Sequence, residues 1–146
     1  MATYIYTWNP GKWEWKNIKQ VINSVAQSGQ HQMKWSCGKN KGIEVGDNFL
    51  LVRLGKEPKG IVGYGDVTGE PCECPHWDEE KRRQGKKTLF TEVFFKGLSE
   101  QPLIGLDQLN QEFSRSTWTP WTGGVRVDEE LSCKIMIYLK GLRSSG

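Results

Sequence analysis

The chain has 146 residues with a formal net charge of +3 at pH 7, and 36% of its residues are hydrophobic. This length and composition are typical of one globular domain and argue against intrinsic disorder. No segment approaches the roughly 18 consecutive apolar residues of a membrane span, and the first residues lack the basic and apolar regions of a secretory signal.

The predicted elements begin with a strand at TYIYTW, which ends at an Asn-Pro-Gly turn. A helix follows over NIKQVINSVAQSG, because four aliphatic residues share the spacing of one helical face and Gly29 is a typical stop. NFLLVRL, GIVGYGDVT and TLFTEVFFKGL predict three strands, and residues 70–87 predict a polar loop. The glycines of GIVGYGDVT indicate bends or a close backbone approach, as in a strongly curved sheet.

Toward the end of the chain, Pro102 begins a short helical stretch, and STWTPWTGGVRV is irregular before it becomes strand-like. DEELSCKIMIYLKG predicts a closing helix that Asp128 caps and Gly141 ends. This order lacks the regular alternation of strands and helices found in doubly wound folds. We therefore predict a single α+β domain over residues 1–142, with residues 143–146 as a tail or the start of a linker.

Catalytic motifs are scarce, since the chain has two histidines and lacks the common nucleophile, phosphate-loop and dinucleotide patterns. CECPHWD is the best metal candidate, with Cys72, Cys74 and His76 as ligands and Cys37 or Asp78 as a fourth. Its Cys-x-Cys spacing is unusual for zinc and has no matching second pair. We predict no catalytic residue, metal or cofactor. Cysteines without a secretory signal indicate reduced thiols in a cytoplasmic protein.

Seven tryptophans are concentrated near YTWNPGKWEW, KWSCG and STWTPWTGG, and Trp77 lies apart. Stacking of an aromatic side chain on a nucleobase is worth about 1–3 kcal/mol. A base enters a protein pocket only when it is unpaired or flipped out of the duplex. We expect about half of the indoles, including Trp13 and Trp15, to be packing residues. The others could form a pocket in which Thr7, Asn9 and Ser36 read the base edge.

Cations cluster near these tryptophans, a distribution typical of proteins that bind nucleic acid. EEKRRQGKK holds one cluster, although a solvated loop explains such a run equally well. Others flank Trp35 and the last two tryptophans. The residues predicted to bind phosphate are Lys34, Lys39, Lys81, Arg82, Arg83, Arg115 and Arg126.

Several segments together resemble one known family. They are YIYTWN, the pair Trp35-Ser36, VGDNFLLVRL with PKGIVGYGDVTGEP, TLFTEVFFKGL with its trailing Pro-Leu, and STWTPWTGGVRVDEEL. In this order and spacing they resemble an EVE domain of the PUA-like superfamily, which also includes YTH domains. The likeness runs from about Thr3 to Leu142. TWNPGKW is most similar to EVE modules at the N-terminus of HNH-type modification-dependent endonucleases.

The resemblance implies a curved, partly closed β-barrel with flanking helices and a pocket for one flipped, modified base. Trp35 would be a cage wall, with Ser36 beside it hydrogen-bonding the base. Trp77 is a candidate substitute for a further cage tryptophan that YTH domains carry on a strand. The remaining predicted pocket residues are Trp8, Asn9, Trp118 and Trp121.

The expected function is recognition of 5-methylcytosine or 5-hydroxymethylcytosine in double-stranded DNA, as the specificity domain of a modification-dependent restriction system. The chain carries no HNH histidine motif, so a nuclease would follow its end or associate with it. Two alternatives stay open. One is a reader of modified RNA or 6-methyladenine, and the other is a small-molecule or nucleotide-binding domain. No membrane partner is expected.

Overall fold

The computed structural model describes residues 1–114, 116–120 and 123–145, with the backbone alone for 143–145. This part of the chain has an α+β architecture of eight strands in one sheet and four helices. None of the helices described is long and apolar enough to cross a membrane. The elements are β1 (Thr3–Trp8), α1 (Ile18–Ser28), β2 (His31–Gly38), β3 (Asn48–Arg53), β4 (Gly60–Val67), β5 (Cys72–Pro75), α2 (Glu79–Arg83), β6 (Lys87–Leu98), β7 (Ile104–Gly105), α3 (Leu106–Glu112), β8 (Val125–Val127) and α4 (Glu129–Ser145).

The strand order is β2-β6-β4-β3-β1-β8, with β5 paired to β6 and β7 paired to β4. The pair β1–β3 is parallel, and the other described pairs are antiparallel. Within the described residues, no ladder joins the first and last strands of the sheet. Nevertheless, the indole N–H of Trp35 on β2 donates to the carbonyl of Thr7 on β1 at 3.0 Å. Two strands that are far apart in the order of the sheet are therefore in direct contact.

Alternation along the strands gives the sheet two apolar faces. On β1, for example, Tyr6 faces one core and Ile5 faces the other. We call them the α1-side core and the α4-side core after the helices that cover them. The α1-side core is rich in aromatic residues, namely Tyr4, Tyr6, Trp8, Trp15, Trp35, Phe49 and Phe95. The α4-side core is mainly aliphatic, with Ile5, Leu50, Val52, Ile61, Ile104, Leu109, Leu131, Ile135 and Leu139 around Trp118.

Two glycine predictions are confirmed. Gly29 has φ 82° and its N–H donates to the Val25 carbonyl, which ends α1 as expected. In β4, a Cβ on Gly65 would overlap the carbonyl oxygen of Phe94, where the register with β6 also shifts. This is the close backbone approach that the glycine-rich segment predicted.

Other sequence-based assignments were wrong. β2 and the short β7 were not anticipated, and the predicted polar loop 70–87 contains β5 and α2. α2 has no buried residue, but its N-terminus is capped, because the Asp78 carboxylate accepts the backbone N–H of Glu80 at 3.0 Å. The closing helix passes Gly141 and continues to Ser145, so residues 143–145 extend α4. The helix predicted from Pro102 begins at Leu106.

Candidate functional site

A cavity of about 470 Å³ lies at the edge of the α1-side core, where the end of β1 meets β2. Its size falls in the range of small-molecule and cofactor pockets. Four parts of the chain supply most of the lining. They are the end of β1 with the turn after it, β2 with the facing part of β6, the segment from His76 to Lys81, and residues 119–123 as far as they are described.

Among the described residues, four tryptophans line this cavity, namely Trp8, Trp13, Trp35 and Trp77. Trp8 and Trp35 are each only 7% exposed, whereas Trp13 and Trp77 are half-buried. Trp13 meets Trp35 edge-on, with ring centroids 5.4 Å apart and planes at 87°. Trp15 stands behind them in the core, 4.8 Å from Trp35. The rings of Trp8, Trp13, Trp15 and Trp35 form a continuous packed cluster, which restricts their rotation and favours fixed cavity walls.

Two of the four indole N–H groups are already used within the protein. The Trp8 indole donates to the Trp13 carbonyl at 3.1 Å, which holds the turn after β1. The Trp35 indole donates to the Thr7 carbonyl, which holds β2 against β1. These two residues therefore offer apolar ring surface to the cavity rather than hydrogen-bond donors.

The small polar residues differ in what they can offer. Thr88 donates its single hydroxyl hydrogen to the Gly38 carbonyl at 3.0 Å, so it accepts from Ser36 at 3.3 Å. The Ser36 oxygen also receives the Gly38 N–H at 3.4 Å and keeps one lone pair. Asn9 is more constrained, because its side-chain oxygen accepts the Gly11 N–H at 2.9 Å.

All charged side chains that line the cavity are cationic. They are Lys12, Lys34 and Lys81, and no Asp or Glu is among the described lining residues. Arg53 lies nearby with its guanidinium 5.3 Å from the Trp8 ring, and it donates to the Glu100 carbonyl at 3.2 Å. The described lining thus carries three lysines and no carboxylate, a charge distribution that suits an anionic ligand better than a cationic one.

The other predicted phosphate-binding residues that the structure describes do not line the cavity. Lys39 is exposed just after β2, and Arg82 is exposed on α2. Arg83 is in an ion pair with Glu79 at 2.7 Å. Arg126 is exposed on β8, in register with Tyr4 at the opposite end of β1 from Trp8. The remaining predicted residues, Arg115 and Trp121, lie outside the described residues.

Trp118 does not line the cavity, although the sequence placed it in the pocket. It is 2% exposed in the α4-side core, and its indole N–H donates to the Phe113 carbonyl at 2.8 Å. Its neighbours Thr119 and Pro120 do reach the lining. Trp118 therefore supports the cavity by anchoring this loop.

Lys12 and Trp13 are among the lining residues that sequence reasoning did not place in the pocket. Trp13 was assigned to packing, and it does pack partly against the α1-side core. The available signal was their place directly after the Pro-Gly turn, which projects side chains from the end of a strand. Trp77, the candidate cage substitute, does line the cavity.

His76 is a further lining residue that was considered only as a metal ligand. Its Nδ1 accepts the backbone N–H of Asp78 at 3.0 Å. Burial, together with the charges of Lys81 and Lys86, lowers the pKa of the imidazole. In the described part of the chain, no three His, Cys, Asp or Glu side chains converge to hold a metal. The ring is therefore placed to act as a neutral hydrogen-bonding group.

Comparisons with known proteins concern the fold. No family model matches the chain, and no curated protein matches it. It is similar to a hypothetical protein from Leishmania major, with a TM-score of 0.61, 14% identity, and coverage of 98% of this chain and 97% of that one. A protein from Pseudomonas putida has a TM-score of 0.61 and 16% identity, with coverage of 94% of this chain and 99% of that one. It is also similar to a protein from Pseudomonas syringae, with a TM-score of 0.57, 15% identity, and coverage of 93% of this chain and 98% of that one.

Proposed function

We propose that this chain is a nucleic-acid-binding module that accepts one flipped, modified base of double-stranded DNA in its cavity. The base we propose is 5-methylcytosine or 5-hydroxymethylcytosine. One observation carries the proposal. Indoles from three separate segments, around Trp8 and Trp13, at Trp35 and at Trp77, converge on one cavity, and the charged residues in its described lining are all lysines.

The aromatic walls match the energetic requirement of base flipping. Extruding a base from a duplex costs a few kcal/mol, which the pocket must offset. Each aromatic stacking contact contributes about 1–3 kcal/mol. Trp13 and Trp77 are the half-buried indoles of the lining, so they have ring surface left for a ligand. A methyl group on the base adds apolar contact with these rings.

The lysines match the phosphates on either side of a flipped nucleotide. Contacts to phosphate supply affinity and position a protein on DNA, but they carry no sequence information. Lys12 follows β1, Lys34 lies on β2 and Lys81 lies on α2. Because they come from different elements around one cavity, they can contact a backbone that passes over its mouth.

We further propose that the sheet has the PUA-like form, a curved and partly closed barrel with flanking helices. The contact between Trp35 on β2 and Thr7 on β1 supports it, because these strands are not neighbours in the sheet. The position of Gly123 supports it too, since a Cβ there would lie 3.1 Å from the Ser36 carbonyl oxygen and 3.7 Å from the Thr7 nitrogen. A sheet curved in this way places the cavity where β1 and β2 approach each other.

In this proposal the module supplies specificity and performs no catalysis. It acts in the cytoplasm as the reader domain of a modification-dependent restriction system. Cleavage belongs to a separate nuclease domain, fused or associated, since the chain carries no HNH histidine motif.

A titration with three duplexes tests the function. They share one sequence and carry cytosine, 5-methylcytosine or 5-hydroxymethylcytosine at a single position. We expect tighter binding to at least one modified duplex. Equal affinity for all three contradicts the proposal. A modified RNA or a 6-methyladenine duplex can be added as a competitor. If it binds more tightly than both modified-cytosine duplexes, the chain is instead a reader of modified RNA or of 6-methyladenine.

A second measurement on the same duplexes tests flipping. Removing the guanine opposite 5-methylcytosine eliminates the pairing energy that extrusion must overcome, so binding should tighten. A protein that reads the base edge in the groove would lose affinity instead, because the edge pattern is damaged. A fluorescent adenine analogue beside the target should brighten on binding as it unstacks. Weaker binding without brightening would show that the base stays in the duplex.

A further inference from the structure

His76 follows β5 directly and lines the cavity from the hairpin that β5 forms with β6. β5 is antiparallel to the start of β6, with Cys72 opposite Phe90 at one end and Pro75 opposite Lys87 at the other. Just beyond this ladder, the His76 N–H donates to the Lys86 carbonyl at 3.1 Å. These bonds hold the backbone of the histidine at the end of the hairpin. Trp77 lies beside it, with ring centroids 5.1 Å apart.

The hydrogen bond to Asp78 determines the tautomer of this ring. Nδ1 accepts the Asp78 N–H at 3.0 Å, so in the neutral imidazole the hydrogen is on Nε2. The lowered pKa, which follows from burial and from the charges of Lys81 and Lys86 despite the opposing effect of Asp78, favours this neutral form. Within the described part of the chain, Nε2 has no hydrogen-bond partner. A fixed and unused donor therefore belongs to a residue that lines the cavity.

Ser36 supplies the complementary group. Its oxygen keeps a lone pair after its bonds to Thr88 and Gly38, so it can accept a hydrogen bond from a ligand. The lining therefore combines one available acceptor with one available donor. Cytosine carries the matching pair, an amino group at C4 that donates and a ring nitrogen N3 that accepts. Thymine reverses both, because it has a carbonyl at C4 and a hydrogen on N3.

We propose that His76 is a specificity-determining residue that donates Nε2–H to N3 of the flipped cytosine, while Ser36 accepts from its amino group. This inference rests on the proposed function. It assigns to these two residues the choice of cytosine over thymine, which the aromatic walls cannot make because both bases stack and both carry apolar surface. A site with oriented hydrogen-bonding groups rejects the wrong base because its polar groups are then left unpaired.

Two substitutions separate recognition by His76 from a purely structural role. His76→Asn keeps an acceptor near Nδ1, since an Asn oxygen commonly accepts the N–H two residues on, and it removes the Nε2 donor. His76→Gln places an amide N–H near the position of Nε2 but loses the acceptor for Asp78. His31→Asn is the matched control, because His31 is on β2 and does not line the cavity.

The experiment measures binding to two DNA duplexes that carry either 5-methylcytosine or thymine opposite an abasic site. This arrangement removes any difference in pairing energy. We expect the unaltered protein and His31→Asn to prefer 5-methylcytosine. His76→Asn should lower this preference about three- to tenfold, the value of one hydrogen bond, without a change in melting temperature. His76→Gln should retain most of the preference.

The outcomes distinguish the two proposals. If His76→Asn keeps the full preference, or His76→Gln loses it, His76 only holds the turn and the inference is overturned. If His76→Asn does not fold, the result with His76→Gln still decides between these cases. If the unaltered protein binds both abasic-site duplexes equally but still prefers modified over unmodified cytosine, only the inference fails. If it does not prefer modified DNA at all, the proposed function fails with it.

Discussion

The two cores of the sheet use the same amino acid in different ways. In the α4-side core, Trp118 is 2% exposed and its indole N–H is satisfied by the Phe113 carbonyl. In the α1-side core, Trp8 and Trp35 are each 7% exposed and one edge of their cluster lines the cavity. The elements that cover each face, rather than the residue type, separate the fully buried tryptophan from the tryptophans that line the cavity.

The difference follows from what covers each face. α4 contributes Leu131, Ile135 and Leu139 at successive turns, and together with α3 it seals an aliphatic layer. α1 is shorter and contributes Ile18, Val21 and Val25. Part of the α1-side face is therefore left uncovered and borders the cavity. Indoles suit this position because they are flat and have few rotatable bonds, so they keep a fixed orientation in the cavity wall. An aliphatic lining would offer no stacking surface.

The largest expected effect is on the α4 side. Trp118→Ala removes a fully buried indole and leaves the Phe113 carbonyl without its donor. We expect the free energy of unfolding to fall by about 3–5 kcal/mol, measured by chemical denaturation. A loss below about 1 kcal/mol would show that Trp118 is not an essential part of this core and would remove the contrast between the two faces.

On the cavity side, Trp77→Ala should have the opposite profile. Trp77 is half-buried and lines the cavity from the hairpin extension, so the free energy of unfolding should change by no more than about 1 kcal/mol. The affinity for modified DNA should fall by about 1–3 kcal/mol, the value of one stacking contact. Trp77 is a sharper test than Trp35, whose burial makes its removal costly to the fold as well. Unchanged affinity would exclude Trp77 from the site.

The smallest expected effect distinguishes two cations on α2. Lys81 lines the cavity, whereas Arg83 is tied to Glu79 at 2.7 Å and does not line it. Lys81→Ala should weaken binding to modified and unmodified DNA alike, and it should reduce the slope of log affinity against log salt by about 0.9. Arg83→Ala is the matched control and should leave the slope unchanged. Equal slopes for the two variants would place Lys81 away from the phosphates.

Local patterns in the sequence determined the parts of the fold that depend on near neighbours. Strands β1, β3, β4 and β6 and helix α1 lie where composition and periodicity predicted them. In α1 and β6 the buried positions recur with the spacing of a helix or a strand, whereas β3 and β4 are continuous apolar segments that are buried on both faces. Trp8, Asn9, Trp35 and Ser36 were predicted as one pocket and do line one cavity. The tryptophan clusters and their polar neighbours suggested Asn9 and Ser36, and the family resemblance placed the end of the first strand beside the pair Trp35-Ser36.

Only the tertiary structure decided which remaining side chains join that pocket. β5 was read as loop because its stability comes from a ladder with β6, which no local pattern reports. That ladder places His76 and Trp77 beside the cavity. Trp118 instead packs with residues of α3 and α4 in the α4-side core. An indole has the same sequence signal in a core and in a cage. The exposure of an indole depends on segments that are distant in the chain. Core indoles and cavity-lining indoles therefore become distinguishable only when the strands have paired and the faces of the sheet have been covered.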